Sequence, residues 1–266
     1  MRATLSLLRR EFSAYFLSPI AYVVLAVFLA VTGVLFSRAL GQLTATGPQG
    51  VQYPMQTLLG LGDLQTIGGV LAFLAFWLVF LLIPALLTMR LFAEERASGT
   101  LEMLLTAPVR DWQIVLSKFA ACFAFFVVMW LPTLLYLPIL LDVDVSGLGT
   151  EIDPWPVVTT YLGVALAGAM FLALGLLVSS LVRSQMVAAL VALALSLGFV
   201  VAGFLQPGME AGSTASHVSF FFTVPLHFER NFTRGLVDTR QLVLYGSVTL
   251  FCVFLTVRSL ESRRWR

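Results

Sequence analysis

Six stretches of this chain, 12–37, 64–89, 119–141, 154–182, 184–209 and 241–257, contain no Asp, Glu, Lys or Arg. A helix needs about 20 residues to cross a hydrocarbon core roughly 30 Å thick. Each stretch therefore holds one crossing, and none comfortably holds two. The stretches are continuous apolar runs rather than ten-residue alternations, which argues against a barrel of strands. The composition agrees: 59% of the 266 residues are hydrophobic and 11% are charged, where a soluble domain carries roughly 25% charged residues. The expected fold is an all-α membrane protein, a single transmembrane domain over 1–266. Its six spans are placed at 20–37, 68–91, 119–141, 157–182, 186–205 and 241–257.

The first stretch follows Arg9 and Arg10 and could pass for a secretory leader. It is far longer than the 7–15-residue core of such a leader, and no small-x-small cleavage pattern follows it. It is read as a mature first span. Ahead of it, Leu5, Leu8, Phe12 and Phe16 share one helical face, a pattern that suits an interfacial helix. Ser18-Pro19 has the form of an N-cap followed by proline at the first helical position.

Basic residues set the expected orientation. With the N-terminus in the cytoplasm, twelve of the 16 Lys and Arg residues fall on cytoplasmic segments and only Arg38, Arg230, Arg234 and Arg240 fall outside. Positive charge stays on the cytoplasmic side during insertion, so both termini are placed inside. The loop 142–156 agrees, with Asp142, Asp144, Glu151 and Asp153 and no base. The net charge of +2 is too small to suggest nucleic-acid binding.

Small residues recur within the spans. Ala165, Ala169 and Ala173 stand four apart in the fourth, near Gly168 and Gly175, and Ala188, Ala192 and Ser196 repeat the spacing in the fifth. Such residues let helix backbones approach closely, here most simply within one chain. Pro132 and Pro138 are expected to bend the third span. Before the sixth, His217-Val-Ser-Phe-Phe221-Phe-Thr-Val-Pro225-Leu-His227-Phe228 is too short to cross and too apolar for a free loop. An outer re-entrant element is expected there. Two histidines ten apart, without neighbouring cysteines or acids at ligand spacing, do not argue for a metal. Cys122 and Cys252 lie in apolar windows and are read as buried thiols.

The segment with most mechanism in it lies between spans two and three. It reads Arg90-Leu-Phe-Ala-Glu94-Glu95-Arg96-Ala-Ser98-Gly99-Thr100-Leu101-Glu102-Met-Leu104-Leu105-Thr106-Ala-Pro108. Ser98-Gly99 breaks the helix leaving span two, Thr100 is a good N-cap, and Glu102 lies where a helix dipole favours an acid. Pro108 stops the helix about two turns later. Leu101, Leu104 and Leu105 form one apolar stripe. A short helix across the mouth of two spans can fit a groove on a soluble partner; the plainer alternative is a helix at rest in the lipid interface.

The pattern E-E-R-x-S-G-T-L-E-x-L-L-T-x-P, with Val115–Lys118 opening a span, resembles the coupling region of type-2 ABC exporter permeases. Tyr15-Phe16-x-Ser18-Pro19-Ile20-x-Tyr22, His227-Phe228-Glu229 with Thr233-Arg234-Gly235-Leu236-Val237-Asp238-Thr239-Arg240, and the ending Arg263-Arg264-Trp265 are similar to the gliding-motility GldF-type branch. The resemblance covers most of the chain. It implies an N-terminal interfacial helix, six spans, a cytoplasmic coupling helix, an outer re-entrant element and a separate ABC ATPase in two copies. A second permease chain, identical or a sister, would complete the unit, with an accessory outer-side protein as a further partner. The setting implied is the bacterial inner membrane.

The need for a separate ATPase also follows from the residues. A phosphate-cradling loop requires Gly-x4-Gly-Lys-Ser/Thr. The one lysine, Lys118, stands between Ser117 and Phe119. No cofactor is expected on this chain, and ATP and Mg belong on the partner. An ion-coupled transporter or channel is the alternative. It would need an ionisable group at membrane depth, which the six stretches do not supply. A membrane enzyme would need a motif such as Gly-x-Ser-x-Gly or His-Glu-x-x-His, and neither occurs.

Overall fold

The computed structural model of the protein describes residues 2–46, 54–61, 64–97, 99, 110–142, 154–202 and 214–264. Among these residues every regular element is helical. The elements are α1 (Arg2–Leu17), α2 (Pro19–Thr46), α3 (Pro54–Leu58), α4 (Ile67–Thr88), α5 (Ala93–Ala97), α6 (Asp111–Trp130), α7 (Tyr136–Asp142), α8 (Pro154–Leu181), α9 (Gln185–Val201), α10 (Thr214–Phe222), α11 (Val224–Arg230) and α12 (Thr239–Arg264). Five of them, α2, α4, α6 with its continuation, α8 and α12, are long and apolar enough to cross a membrane. The remaining expected span is α9, apolar but only 17 residues long. Large apolar side chains stay exposed along these helices, among them Leu74, Leu78, Leu190, Leu250 and Phe251. In water such a surface would drive association; against lipid it is the natural exterior.

Two helices depart from their charge-free windows for identifiable reasons. The helix of the third window starts at Asp111, well before residue 119, because its early charged residues are packed rather than solvated: Asp111 and Lys118 are both buried. The same window does not end as one α-helix. Proline lacks an amide hydrogen and clashes with the preceding turn. Accordingly α6 gives way at Leu131–Leu135 to a 3-10 turn containing Pro132, and α7 follows.

The core lies where α4, α6 and α8 meet, and it is aromatic. Trp77, Phe80, Phe126 and Phe171 are each no more than 2% exposed. Phe80 meets Phe171 edge-on with ring centres 6.0 Å apart, and Trp77 meets Phe228 of α11 at 5.6 Å. Such offset contacts suit the ring quadrupoles. Glycines on α8 make the close approaches. A Cβ at Gly175 would lie 2.1 Å from Thr88 Oγ1, and one at Gly168 would lie 2.3 Å from the Phe126 ring. Ala165 and Ala169, from the expected stripe, are only half-buried, whereas Ala173 is fully buried. On α9, Ala188, Ala192 and Ser196 are buried within the chain, on the helix that packs along α8 and α4.

At the end of the bundle where α8 begins, α10 and α11 form a broken helical pair ahead of α12. Val224, Pro225, His227 and Phe228 are buried there, while Phe221 is exposed. Thr159 Oγ1 donates to the Phe232 carbonyl at 2.6 Å, and Gln56 Nε2 of α3 donates to the Glu229 carbonyl at 2.6 Å. Gly235 closes the turn with φ of 80°, a conformation that side chains rarely adopt. The segment thus docks on α3, α8 and α9, and through His227 on α12.

Candidate functional site

The opposite end of the bundle gathers the C-termini of α4 and α8, the N-terminal part of α6 and the helix α1. Here α4 stops at Thr88, four residues turn, and the five-residue α5 begins. A short helix needs partners for its first amide hydrogens. Ser179 of α8 supplies them. Its buried hydroxyl accepts from the backbone amides of Phe92 and Ala93, both at 3.2 Å, and donates to the Met89 carbonyl at 3.3 Å. One side chain thereby ties the turn after α4 to the end of α8. The guanidinium of Arg96 adds a second tie by donating to the Ser180 carbonyl.

Lys118 lies beneath the same segment. Its side chain is 3% exposed and pairs with Glu95 Oε1 at 2.6 Å and with Glu11 Oε2 at 3.2 Å. Its ammonium also lies 5.5 Å from the Phe92 ring centre. A buried ammonium without counter-charges would be costly, and two carboxylates from separate elements offset that cost. Lys118 thus joins α6 to α5 and to α1. The remaining contacts of α1 reinforce this. Tyr15 stacks on Phe125 of α6 with ring centres 5.1 Å apart, and its hydroxyl donates to the Leu87 carbonyl at 3.1 Å.

Of the residues expected to couple, Glu95 and Arg96 reach into this junction, Glu94 is exposed on α5, and Gly99 adopts a left-handed φ of 73° just beyond it. That φ accords with a break in the helix at this point. Ser98, Thr100, Leu101, Glu102, Leu104 and Leu105 lie outside the described residues, as does the whole expected helix 100–108. Sequence reasoning missed Glu11, Ser179 and Ser180, and singled out Tyr15 only as part of a motif ahead of the first span. A Ser-Ser pair closing an apolar run, and a lysine opening one, were the only local signals.

The family described as ABC-2 family transporter protein matches the chain over residues 42–228. The chain belongs to the ABC-2 transporter family. It is therefore a multi-pass membrane component of an ABC transporter and not its ATPase. No curated protein matches the chain. Within this ABC-2 permease the matched region contains α4, α5, α6, α8 and α9, hence most of the junction described above. Glu11 and Tyr15, contributed by α1, lie ahead of it.

At the other end, His227 is the second expected site residue with defined surroundings. Its Nε2 lies 3.1 Å from the Phe220 carbonyl and its Nδ1 lies 2.9 Å from the Tyr245 hydroxyl. A carbonyl can only accept, so Nε2 carries the proton and Nδ1 accepts from Tyr245. Burial lowers the ring's pKa to about 4, outweighing the opposite pull of the Phe220 carbonyl. The imidazole is thus a neutral strut between α10 and α12. The side chain of His217 lies outside the described residues.

Proposed function

We propose that this chain is the permease subunit of an ABC exporter, working with a separate ATPase in two copies and a second permease chain. On this reading α9 is the fifth of six spans, both termini are cytoplasmic, and the junction around α5 faces the ATPase. The membrane is the bacterial inner membrane, and the motifs around Ser18-Pro19, His227 and Arg234-Gly235 favour the gliding-motility GldF-type branch. Segment 100–108 is the coupling helix, with Leu101, Leu104 and Leu105 set into a groove of the ATPase.

The observation that carries this reading is the pinning of α5. The segment leading into 100–108 is fastened to α8 by Ser179 and Arg96 and to α6 and α1 through Glu95 and Lys118. A displacement delivered at 100–108 therefore reaches three further helices at once instead of dissipating in a loose linker. Rigid-body rearrangement of such a set is an established way to switch a site between two arrangements. An ion-coupled transporter would have no use for a rigid socket of this kind beside a cytoplasmic helix.

The test is Leu105→Asp and Gly99→Pro, each in the complex purified with its ATPase. ATP hydrolysis stimulated by the permease should fall at least five-fold while membrane insertion persists. Wild-type stimulation in both variants would refute the assignment.

A further inference from the structure

Between α1, the start of α2, the end of α4 and α5 lies a cavity of about 400 Å³. That is within the roughly 300–1,000 Å³ typical of small-molecule sites. One wall is apolar and continues onto the membrane-crossing helices through Ile20, Ala21, Val24 and Leu86. The other wall is polar, made by Tyr15, Ser18, Arg90 and the acids Glu11, Glu94 and Glu95.

Arg90 is the unexplained member. It is half-buried and its Nη1 reaches Ser18 Oγ at 3.4 Å, yet its Nε is buried with no hydrogen-bond partner. Among the described residues no carboxylate pairs with it. A guanidinium carries five N–H donors in a planar fork that matches phosphate. An arginine at the end of a membrane-crossing helix, beside an apolar wall, lies at the depth of lipid headgroups.

We infer that this cavity binds one phospholipid, its phosphodiester on Arg90 and the start of its acyl chains along Ile20, Val24 and Leu86. The neighbouring acids decide the headgroup. Lys118 pairs with Glu11 and Glu95, and Arg10 with Glu11; the lining still sets three carboxylates against Arg90 and Lys118, which opposes a headgroup with net negative charge. They suit one that carries its own ammonium. The occupant is thus a zwitterionic aminophospholipid. The site goes beyond the coupling reading and depends on the proposed orientation only for which leaflet supplies the lipid.

The experiment uses the full-length permease without any ATPase, delipidated in detergent. Dipalmitoyl phosphatidylethanolamine, phosphatidylglycerol of the same chains, and water-soluble glycerophosphoethanolamine are titrated in, with bound lipid read by native mass spectrometry. One phosphatidylethanolamine should be retained, with affinity at least ten-fold weaker in Arg90→Gln and unchanged in Arg258→Gln, whose arginine pairs with Glu261 on the exposed face of α12. Ala14→Trp fills the cavity mouth from an exposed position on α1 and should also abolish retention, which decides the matter if Arg90→Gln does not fold. Equal retention in Arg90→Gln and wild type, or in Ala14→Trp and wild type, overturns the site. Equal affinity for phosphatidylglycerol overturns the zwitterionic headgroup. Tight binding of glycerophosphoethanolamine alone overturns the lipid in favour of a soluble phosphodiester. Loss of coupling in Leu105→Asp leaves all of these results untouched, so the two readings fail separately.

Discussion

His227 has both ring nitrogens engaged, and burial holds its pKa near 4. An unfolded histidine titrates near 6.5. Between those values the unfolded chain binds a proton that the folded chain refuses, so stability falls as pH drops through that window. The stabilisation is complete above about pH 6.5, and its loss levels off below about pH 4, at most about 3 kcal/mol for this group. Thermal unfolding in detergent should show a lower Tm at pH 4.5 than at pH 7.5, with the difference shrunken in His227→Gln. An unchanged difference would show that the imidazole is not held neutral by its surroundings. The sequence alone singled out His227 as part of an outer element, but its partner Tyr245 lies in the next span and only packing reveals it. The same holds at the junction. Glu95 and Arg96 stood in a recognisable motif, whereas Ser179 lies 87 residues from the amide of Phe92 that it caps. Tertiary partners of this kind leave no local pattern.

Among the elements, α8 organises its neighbours by what it lacks. Gly175 lets Thr88 of α4 approach, and Gly168 lets the Phe126 ring of α6 approach. Filling either contact forces Thr88 or the Phe126 ring out of place, at a cost of about 1–3 kcal/mol for an overpacked core. Gly175→Leu should therefore lower the unfolding midpoint clearly. Gly198→Ala is the matched control, because a Cβ there meets nothing within 4 Å and alanine is the better helix former. A midpoint in Gly175→Leu equal to that of wild type would remove the glycine contact from the account of how α4 and α8 pack. The alanine spacing drew attention to the right helix but to partly the wrong residues, since a four-residue repeat does not say which face meets a neighbour. Charge-free windows located every long helix, and failed at its ends where charge is buried. Lys118 marks such an end, its charge balanced by acids from α1 and α5 that only the folded chain brings near.

For the whole molecule the open quantity is parity. Six crossings return the C-terminus to the side of the N-terminus, and five leave it on the other. The 17 residues of α9 sit at the lower end of the roughly 17–25 that cross a bilayer, and local thinning of the bilayer or flanking polar groups accommodates a short span. In a background of Cys122→Ala and Cys252→Ala, single cysteines at Arg183 and Asp238 should label from opposite sides of the membrane. Labelling of both from the same side would remove α9 as a span and reverse α12. The arginine distribution anticipates opposite sides, because Arg183 lies in one of the segments with positive charge and Asp238 follows an outer stretch.

The burial of Lys118 has a practical consequence for anyone handling this protein. Chemistry that seeks side-chain amines, from succinimidyl dyes to enzymatic acylation or the attachment of a degradation tag, meets a single target in 266 residues. That target is shut beneath two carboxylates and is only 3% exposed. No folded side chain offers such a reagent a foothold, so amine-directed labelling of side chains reports on this subunit only once it opens. An adduct at Lys118 marks a molecule whose three-helix clasp has come apart.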